Sequence, residues 1–170
     1  AKTPRELLSY STYVSKKADL KLGETIGFLP RRRHGILPVP EALAPIYTGG
    51  RGGLDACLMN TYNLPARTLY TLPALTLHEC TPGHSFQAAL ALEGPARPPF
   101  RNATSFSGYG EGWGLYTEWL GIAVGLEKMH PTPEEIIAIN GVFVTVGLFA
   151  LPLMWWGSKV GFLEMATGTG

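Results

Sequence analysis

Two histidines six residues apart, with a glutamate beside the first, are the most chemically telling residues of this 170-residue chain. They lie in the run His78-Glu79-Cys80-Thr81-Pro82-Gly83-His84, and an acidic run, Glu111-Gly112-Trp113, begins 27 residues after His84. Two neutral imidazoles and a carboxylate are the donors a catalytic Zn²⁺ takes, with a fourth position left for water. A carboxylate that is not itself a ligand can then take a proton from that water. His78, His84 and Glu111 are therefore the candidate ligands of one Zn²⁺ ion, and Glu79 is the candidate general base. Glu118 follows Glu111 by seven residues, two helical turns on the same face, where a carboxylate can orient a histidine ligand. Tyr109 and Tyr116 are candidate stabilisers of a developing oxyanion, although Tyr116 also suits simple packing.

The spacing is unusual for this chemistry. The common form is His-Glu-x-x-His, with histidines four apart on one helix face. In a straight helix each residue turns about 100° and rises about 1.5 Å, so residues six apart differ by about 120° and about 9 Å. Zn–N bonds are about 2.0–2.1 Å long, so a straight helix cannot bring this pair onto one ion. Pro82 disfavours helical geometry at Thr81 and cannot donate a hydrogen bond back to His78, and Gly83 relaxes the backbone further. The sequence thus predicts a break at Thr81-Pro82-Gly83, a helix restarting with Pro82 in its first turn, and His84 swung back toward His78. Taken alone, the run also suits a capped helix end carrying a surface histidine. The downstream Glu-Gly-Trp segment with its second glutamate favours the metal reading.

The elements that must position these groups follow from periodicity and punctuation. Thr3-Pro4-Arg5-Glu6 has the form of a helix start, and a helix to about Leu22 is expected. Residues 23–66 are rich in Pro and Gly and read as loop with short extended pieces, one over Ile36–Val39 and one within Leu54–Asn63. Residues 67–127 should carry the metal-site helices. One is expected over Arg67–Cys80, where Pro73 implies a kink or a late start, and a short one should begin near Pro82. A loop over Glu93–Ser107 and a helix over Gly110–Leu126 follow. Gly49-Gly50-Arg51-Gly52-Gly53 lacks the Lys-Ser/Thr and helix of a phosphate loop, so it reads as a flexible loop at a site mouth. Arg31-Arg32-Arg33 reads as a solvated turn, or else an anion-binding patch; His34 and His130 read as solvated loop residues.

Residues 128–170 form an apolar tail. Ile136 to Trp156 is 21 residues without a charge, long enough to span a membrane, but Asn140, Gly141, Thr145, Gly147 and Pro152 interrupt it. A buried helix or helix pair is the favoured reading. Membrane contact is not favoured, and self-association through 136–156 is a further alternative.

Composition narrows the function classes. The chain is 45% hydrophobic and 16% charged with a net charge of +1, which argues against nucleic-acid binding through bulk charge. Two cysteines cannot form a disulfide framework. A single Cys57–Cys80 bridge is one option, and Cys80 within the motif is read as a packed thiol. No apolar leader is visible at the start, so cytoplasmic and periplasmic locations both remain open, and the missing initiator Met suggests a fragment or processed product.

Beyond these residue-level readings, several segments together carry a family resemblance. They are Leu29-Pro30-Arg31, Pro38-Val39-Pro40-Glu41-Ala42, Ala44-Pro45-Ile46-Tyr47-Thr48, Asn60-Thr61-Tyr62, Leu72-Pro73-Ala74-Leu75-Thr76-Leu77-His78-Glu79, Pro82-Gly83-His84 and Glu111-Gly112-Trp113-Gly114-Leu115-Tyr116. Over about residues 3–127 the chain resembles the bacterial domain-of-unknown-function family 885, whose members look like gluzincin-type metallopeptidases. The resemblance implies zinc on His78, His84 and Glu111, with Glu79 as the base. By analogy with zinc peptidases, the strand around Leu58–Asn63 is expected to be an edge that pairs with an extended substrate, making Asn60 and Tyr62 substrate-binding candidates. The chain departs from the family in having Ser85 where a further histidine often stands. Past Leu126 it has only Met154-Trp155-Trp156 as an echo of the family's Met-Trp-Arg segment, and the Arg-Leu-Val-Val-Asp-Thr-Gly-Ile-His run is missing.

The expectation is a single region over 1–170, mainly α with a small β component. It would be a zincin-like metallopeptidase core and a fragment of a larger helical protein. Its expected reaction is zinc-dependent hydrolysis of a peptide or small amide substrate. The alternatives are a zinc hydrolase of non-peptide amides or esters, and a non-catalytic binding or assembly module acting through residues 136–156.

Overall fold

The computed structural model describes residues 1–126, which are mainly helical with one small sheet. Helix α1 spans Pro4–Asp19. The Thr3 hydroxyl caps it by accepting from the Glu6 amide at 3.0 Å, and Pro4 fills a first-turn position where no amide hydrogen is needed. Leu7, Val14 and Ala18 recur on one face of α1 and are buried. The helix expected to reach Leu22 stops at Asp19, and a single separate turn, α2, covers Leu22–Thr25.

Three short strands follow: β1 (Gly35–Pro38), β2 (Gly50–Arg51) and β3 (Ala56–Met59). Their order is β1-β3-β2, with β1 parallel and β2 antiparallel to β3. Alternation along β3 turns Cys57 and Met59 into the core and Leu58 away from it. The strand expected within Leu54–Asn63 therefore forms, but it is central and not an edge. Both of its sides are already paired, so it has no free edge for a substrate strand. Asn60 is likewise structural: it is 1% exposed, and its side-chain amide donates to the carbonyls of Ala44, Tyr47 and Thr48 at 2.9, 3.2 and 3.0 Å. Its Oδ1 accepts from the Tyr62 amide at 2.9 Å. Asn60 thus binds its own chain where a substrate contact was expected.

Helix α3 runs over Leu72–Glu79, α4 over His84–Glu93, α5 over Pro99–Ala103 and α6 over Ser107–Gly121. The segment expected to be helical from Arg67 starts late, because Pro73 is tolerated only in a first turn. The expected loop after Glu93 contains α5. After α6 a wider turn, Ile122–Leu126, ends at Gly125, whose φ of 78° suits a residue without Cβ.

Helix α3 lies between α1 and α6. Leu7, Met59 and Leu72 surround the joint between α1, the sheet and α3, and Val14, Ala18, Leu77 and Leu126 form a second cluster. Full burial of side chains of this size contributes about 1.5–3 kcal/mol each. Cys80 corrects the packed-thiol expectation: it is disulfide-bonded to Cys57, and both are fully buried. The bond fastens β3 to the end of α3, one residue beyond Glu79. Arg31-Arg32-Arg33 is also held: the Arg31 and Arg32 amides donate to the Glu93 carboxylate at 2.8 and 2.7 Å, and the Arg32 guanidinium pairs with Asp55.

Among the described residues no helix is long and apolar enough to cross a membrane. The apolar 136–156 segment, His130 and the rest of the 128–170 tail lie outside the described residues.

Candidate metal centre

The helix break forms where the sequence predicts it. α3 ends at Glu79, the chain passes through a cis Thr81–Pro82 peptide, and helix resumes at His84. The restart differs from expectation: Gly83 is the N-cap, and Pro82 stays outside the helix. A Cβ on Gly83 would sit on the His78 carbonyl oxygen, so only glycine lets the returning chain pass so close to α3. The consequence is the one the spacing required. The imidazole centroids of His78 and His84 are 4.8 Å apart.

The end of such a helix leaves carbonyls without partners. Helix α6 meets one of these carbonyls and one carbonyl of the break itself. The Thr117 hydroxyl shares its proton between the Gly114 carbonyl of its own helix at 2.7 Å and the Leu77 carbonyl at 3.0 Å, and the Trp113 indole donates to the Pro82 carbonyl at 2.8 Å. α6 is thereby bonded to the end of α3 and to the break, which fixes Glu111 and Glu118 relative to the histidines. Neither Thr117 nor this role of Trp113 was singled out from sequence. The available signal was that a proline-broken helix must find donors elsewhere.

Glu111, Gly114 and Glu118 share one face of α6, at spacings of three and four. The His78 ring lies across Gly114, whose added Cβ would come within 2.5–2.7 Å of three ring atoms. From that position His78 Nδ1 is 2.7 Å from Glu118 Oε1, and Nε2 is 3.2 Å from Glu111 Oε2. His84 Nε2 is 3.8 Å from the same Glu111 oxygen, and His84 Nδ1 is 3.2 Å from Gln87 Oε1. Each histidine thus has an oxygen on Nδ1 and turns Nε2 toward Glu111. Gln87, three residues along α4, is a partner that the sequence reading missed.

His78, His84 and Glu111 each offer one donor atom, and all three atoms lie within 4.8 Å of one another. Donors on one tetrahedral zinc are about 3.3 Å apart at bond lengths of about 2 Å. After small side-chain movements the set could therefore hold a metal ion. Burial pulls the His78 imidazole toward neutrality. The Glu118 hydrogen bond and charge, with Glu79 and Glu111, outweigh that and hold its pKa above the ordinary histidine value. In the metal-free state a proton on Nε2 therefore competes for the position a metal would take.

Glu79 lines a cavity with His84 and Glu111. The Gly52 amide donates to Glu79 Oε2 at 2.7 Å, and the Gly53 amide donates to Ser85 Oγ at 2.9 Å. The glycine run expected to be a flexible loop is thus partly strand β2 and is bonded to the motif. The cavity is about 500 Å³ and is lined by Tyr47, Gly50, Arg51, Glu79, His84 and Glu111 among others. Tyr109 and Tyr116 do not line it. They are 58% and 44% exposed, and the Tyr116 ring packs between Trp113 and Trp119. Tyr62, also exposed, is outside the lining too. His34 corrects the solvated-loop expectation: it is half-buried, with Nε2 3.4 Å from the Thr81 hydroxyl.

Comparison with known proteins gives a family and a structural relative. No curated protein matches the chain. The crystal structure described as that of "the putative lipoprotein from Colwellia psychrerythraea" is similar, with a TM-score of 0.67 and 26% identity. The match covers 71% of this chain and 22% of that one, so this chain corresponds to about a fifth of the relative's length. The family model described as "Bacterial protein of unknown function (DUF885)" matches residues 1–137, and the chain belongs to that family.

Proposed function

We propose that this chain carries the metal-binding and catalytic groups of a zinc-dependent hydrolase acting on peptide bonds, with a zincin-like core. The observation that carries the reading is the convergence of His78, His84 and Glu111 from three helices within 4.8 Å, with Glu79 beside them. Bound Zn²⁺ would supply Lewis-acid chemistry, making water more acidic and polarising a carbonyl.

The protein's own groups do the rest. Glu118 accepts a hydrogen bond from His78 Nδ1–H and so leaves Nε2 as the atom facing a metal; Gln87 Oε1 does the same for His84. Glu79 takes a proton from the attacking water and returns it to the leaving amine nitrogen. The Gly52 amide engages Oε2, and among the described residues Oε1 has no partner, so Oε1 is the oxygen to receive the proton. An oxyanion role is not assigned to Tyr109 or Tyr116, given their exposure and position.

The first test is zinc content after purification without chelator. About one equivalent is expected, falling to background in His78→Ala combined with His84→Ala. Zinc bound equally well by that double variant overturns the reading. A peptide library run beside ester and non-peptide amide substrates then tests the peptide assignment, which is abandoned if only the latter are cleaved.

A further inference from the structure

We propose that Arg51 selects substrates bearing a carboxylate next to the bond that is cleaved, a proposal that rests on the hydrolase reading above. Arg51 lines the same cavity as Glu79, His84 and Glu111. It is exposed, and among the described residues its guanidinium makes no ion pair. Two of the charges lining the cavity, Glu79 and Glu111, are negative, and the divalent cation of the hydrolase reading would balance them. Arg51 is then the unbalanced charge and favours an anionic partner.

The strand geometry fixes where that partner must sit. β2 is at the sheet edge, with β3 on its other side. Gly50 and Gly52 turn their Cβ positions toward the motif: a Cβ on Gly50 would be 3.3 Å from Glu79 Cγ, and one on Gly52 2.5 Å from His84 Cβ. Alternation turns the Arg51 side chain away from the Gly50 and Gly52 Cβ positions, so Arg51 borders the cavity from β2 and not beside Glu79 and His84. The next residue's amide holds Glu79 at 2.7 Å, so Arg51 stands at a fixed register from the base. The Gly52 amide is held by Glu79 and the Gly50 carbonyl accepts from Thr48 Oγ1 at 2.6 Å, so an extended substrate passes beside β2 without a full ladder to it, and its side chains likewise alternate. If one of its residues faces Glu79, its neighbour faces Arg51. A carboxylate there, on an acidic side chain or at a chain terminus, accepts a charge-assisted, bidentate hydrogen bond.

The experiment measures equilibrium binding of short peptides to zinc-loaded Glu79→Gln protein, with and without Arg51→Gln or Arg51→Glu. Peptides with a free C-terminus are compared with their amides, and Asp or Glu peptides with their Asn or Gln counterparts. One carboxylate arm should bind tighter than its neutral counterpart by about tenfold or more, the size of one charge-assisted hydrogen bond. Which arm it is identifies the terminal or side-chain source. Arg51→Gln should erase the preference and Arg51→Glu should reverse it. No carboxylate preference in protein with Arg51 intact, or equal weakening of acid and neutral peptides by Arg51→Gln, overturns the proposal. Failure of the hydrolase reading looks different. Protein with Glu79 intact would then cleave none of the peptides while Arg51-dependent binding persisted, which upholds Arg51 and sinks the reaction. Absence of all peptide binding overturns both.

Discussion

His78 and Glu118 are joined across α3 and α6 by a 2.7 Å hydrogen bond between Nδ1 and Oε1. The bond fixes which nitrogen of His78 is left for a metal, and it is the main favourable influence on the charged imidazole. Glu118→Gln keeps the shape and removes the charge. Zinc affinity, measured by competition with a chromophoric chelator, is expected to fall about 10–100-fold, the usual cost of losing such a partner. Unaltered affinity would mean that Glu118 serves only packing.

Glu79 stands beside the candidate ligands and outside the set of His78, His84 and Glu111 that converges. Glu79→Gln should therefore bind zinc with the stoichiometry of the parent while hydrolysis drops by about 10²–10⁴-fold, the usual contribution of a general base. Metal content and turnover are measured on the same preparation. Loss of zinc from this variant would move Glu79 into the ligand set and leave the reaction without its base.

Gly114 is the point where α6 passes the His78 ring. A methyl group there meets three ring atoms at 2.5–2.7 Å, so Gly114→Ala must push either the ring or the helix aside. The ring is held by Glu118 and the helix by Trp113 and Thr117, so neither can move without breaking a hydrogen bond. Zinc affinity is expected to fall at least as far as in Glu118→Gln, with helix content by circular dichroism retained. Gly110→Ala, on the same helix with open space around its Cβ, is the control and should bind zinc as the parent does.

The site was more legible in the sequence than the scaffold around it. His78 and His84 could be paired because proline sterics are local and Pro82-Gly83 states the break in the chain itself; periodicity joined Glu118 to Glu111, and only the two-part motif and the family resemblance joined these to the histidines. Asn60 and Cys80 were misread because their partners are distant. Nothing near Asn60 says that three carbonyls from residues 44–48 will surround its amide, and nothing near Cys80 places Cys57 on a strand packed against α3. The two-residue β2 is too short for any period, so the middle position of β3, which depends on it, was invisible as well. Gly52 and Gln87 fall between these cases: each sits next to a motif residue in space, but only the folded break reveals it.

The Cys57–Cys80 bond closes a loop with a sequence separation of 23 that contains all of α3. Chain entropy gives a loop of this size about 3 kcal/mol. Replacing both cysteines by Ala should lower the Tm by about 10 °C for a chain of this length. Because Cys80 is next to Glu79, the same variant should also bind zinc more weakly at temperatures where it remains folded. A Tm equal to the parent's would show that packing at the joint between β3 and α3 holds without the bond.

His34 gives stability a pH dependence of known sign. Burial holds its pKa below the ordinary histidine value; the Asp19 charge opposes this, and those of Arg33 and Lys16 add to it. The folded state therefore keeps His34 neutral at a pH where the unfolded chain, titrating near its ordinary value of about 6.5, takes up a proton. The contribution is fully present above that value and is lost as pH falls from it toward the folded-state pKa. His34→Gln has no such proton to take up. Urea midpoints measured between pH 8 and pH 5 in chelator should fall more steeply in the parent than in His34→Gln, with the two curves diverging below about pH 6.5. The His78 imidazole titrates with the opposite sign and is common to both proteins, so it cancels in the difference. Parallel curves would mean that His34 opens to solvent before it titrates, and that its contact with Thr81 next to the helix break does not persist in solution.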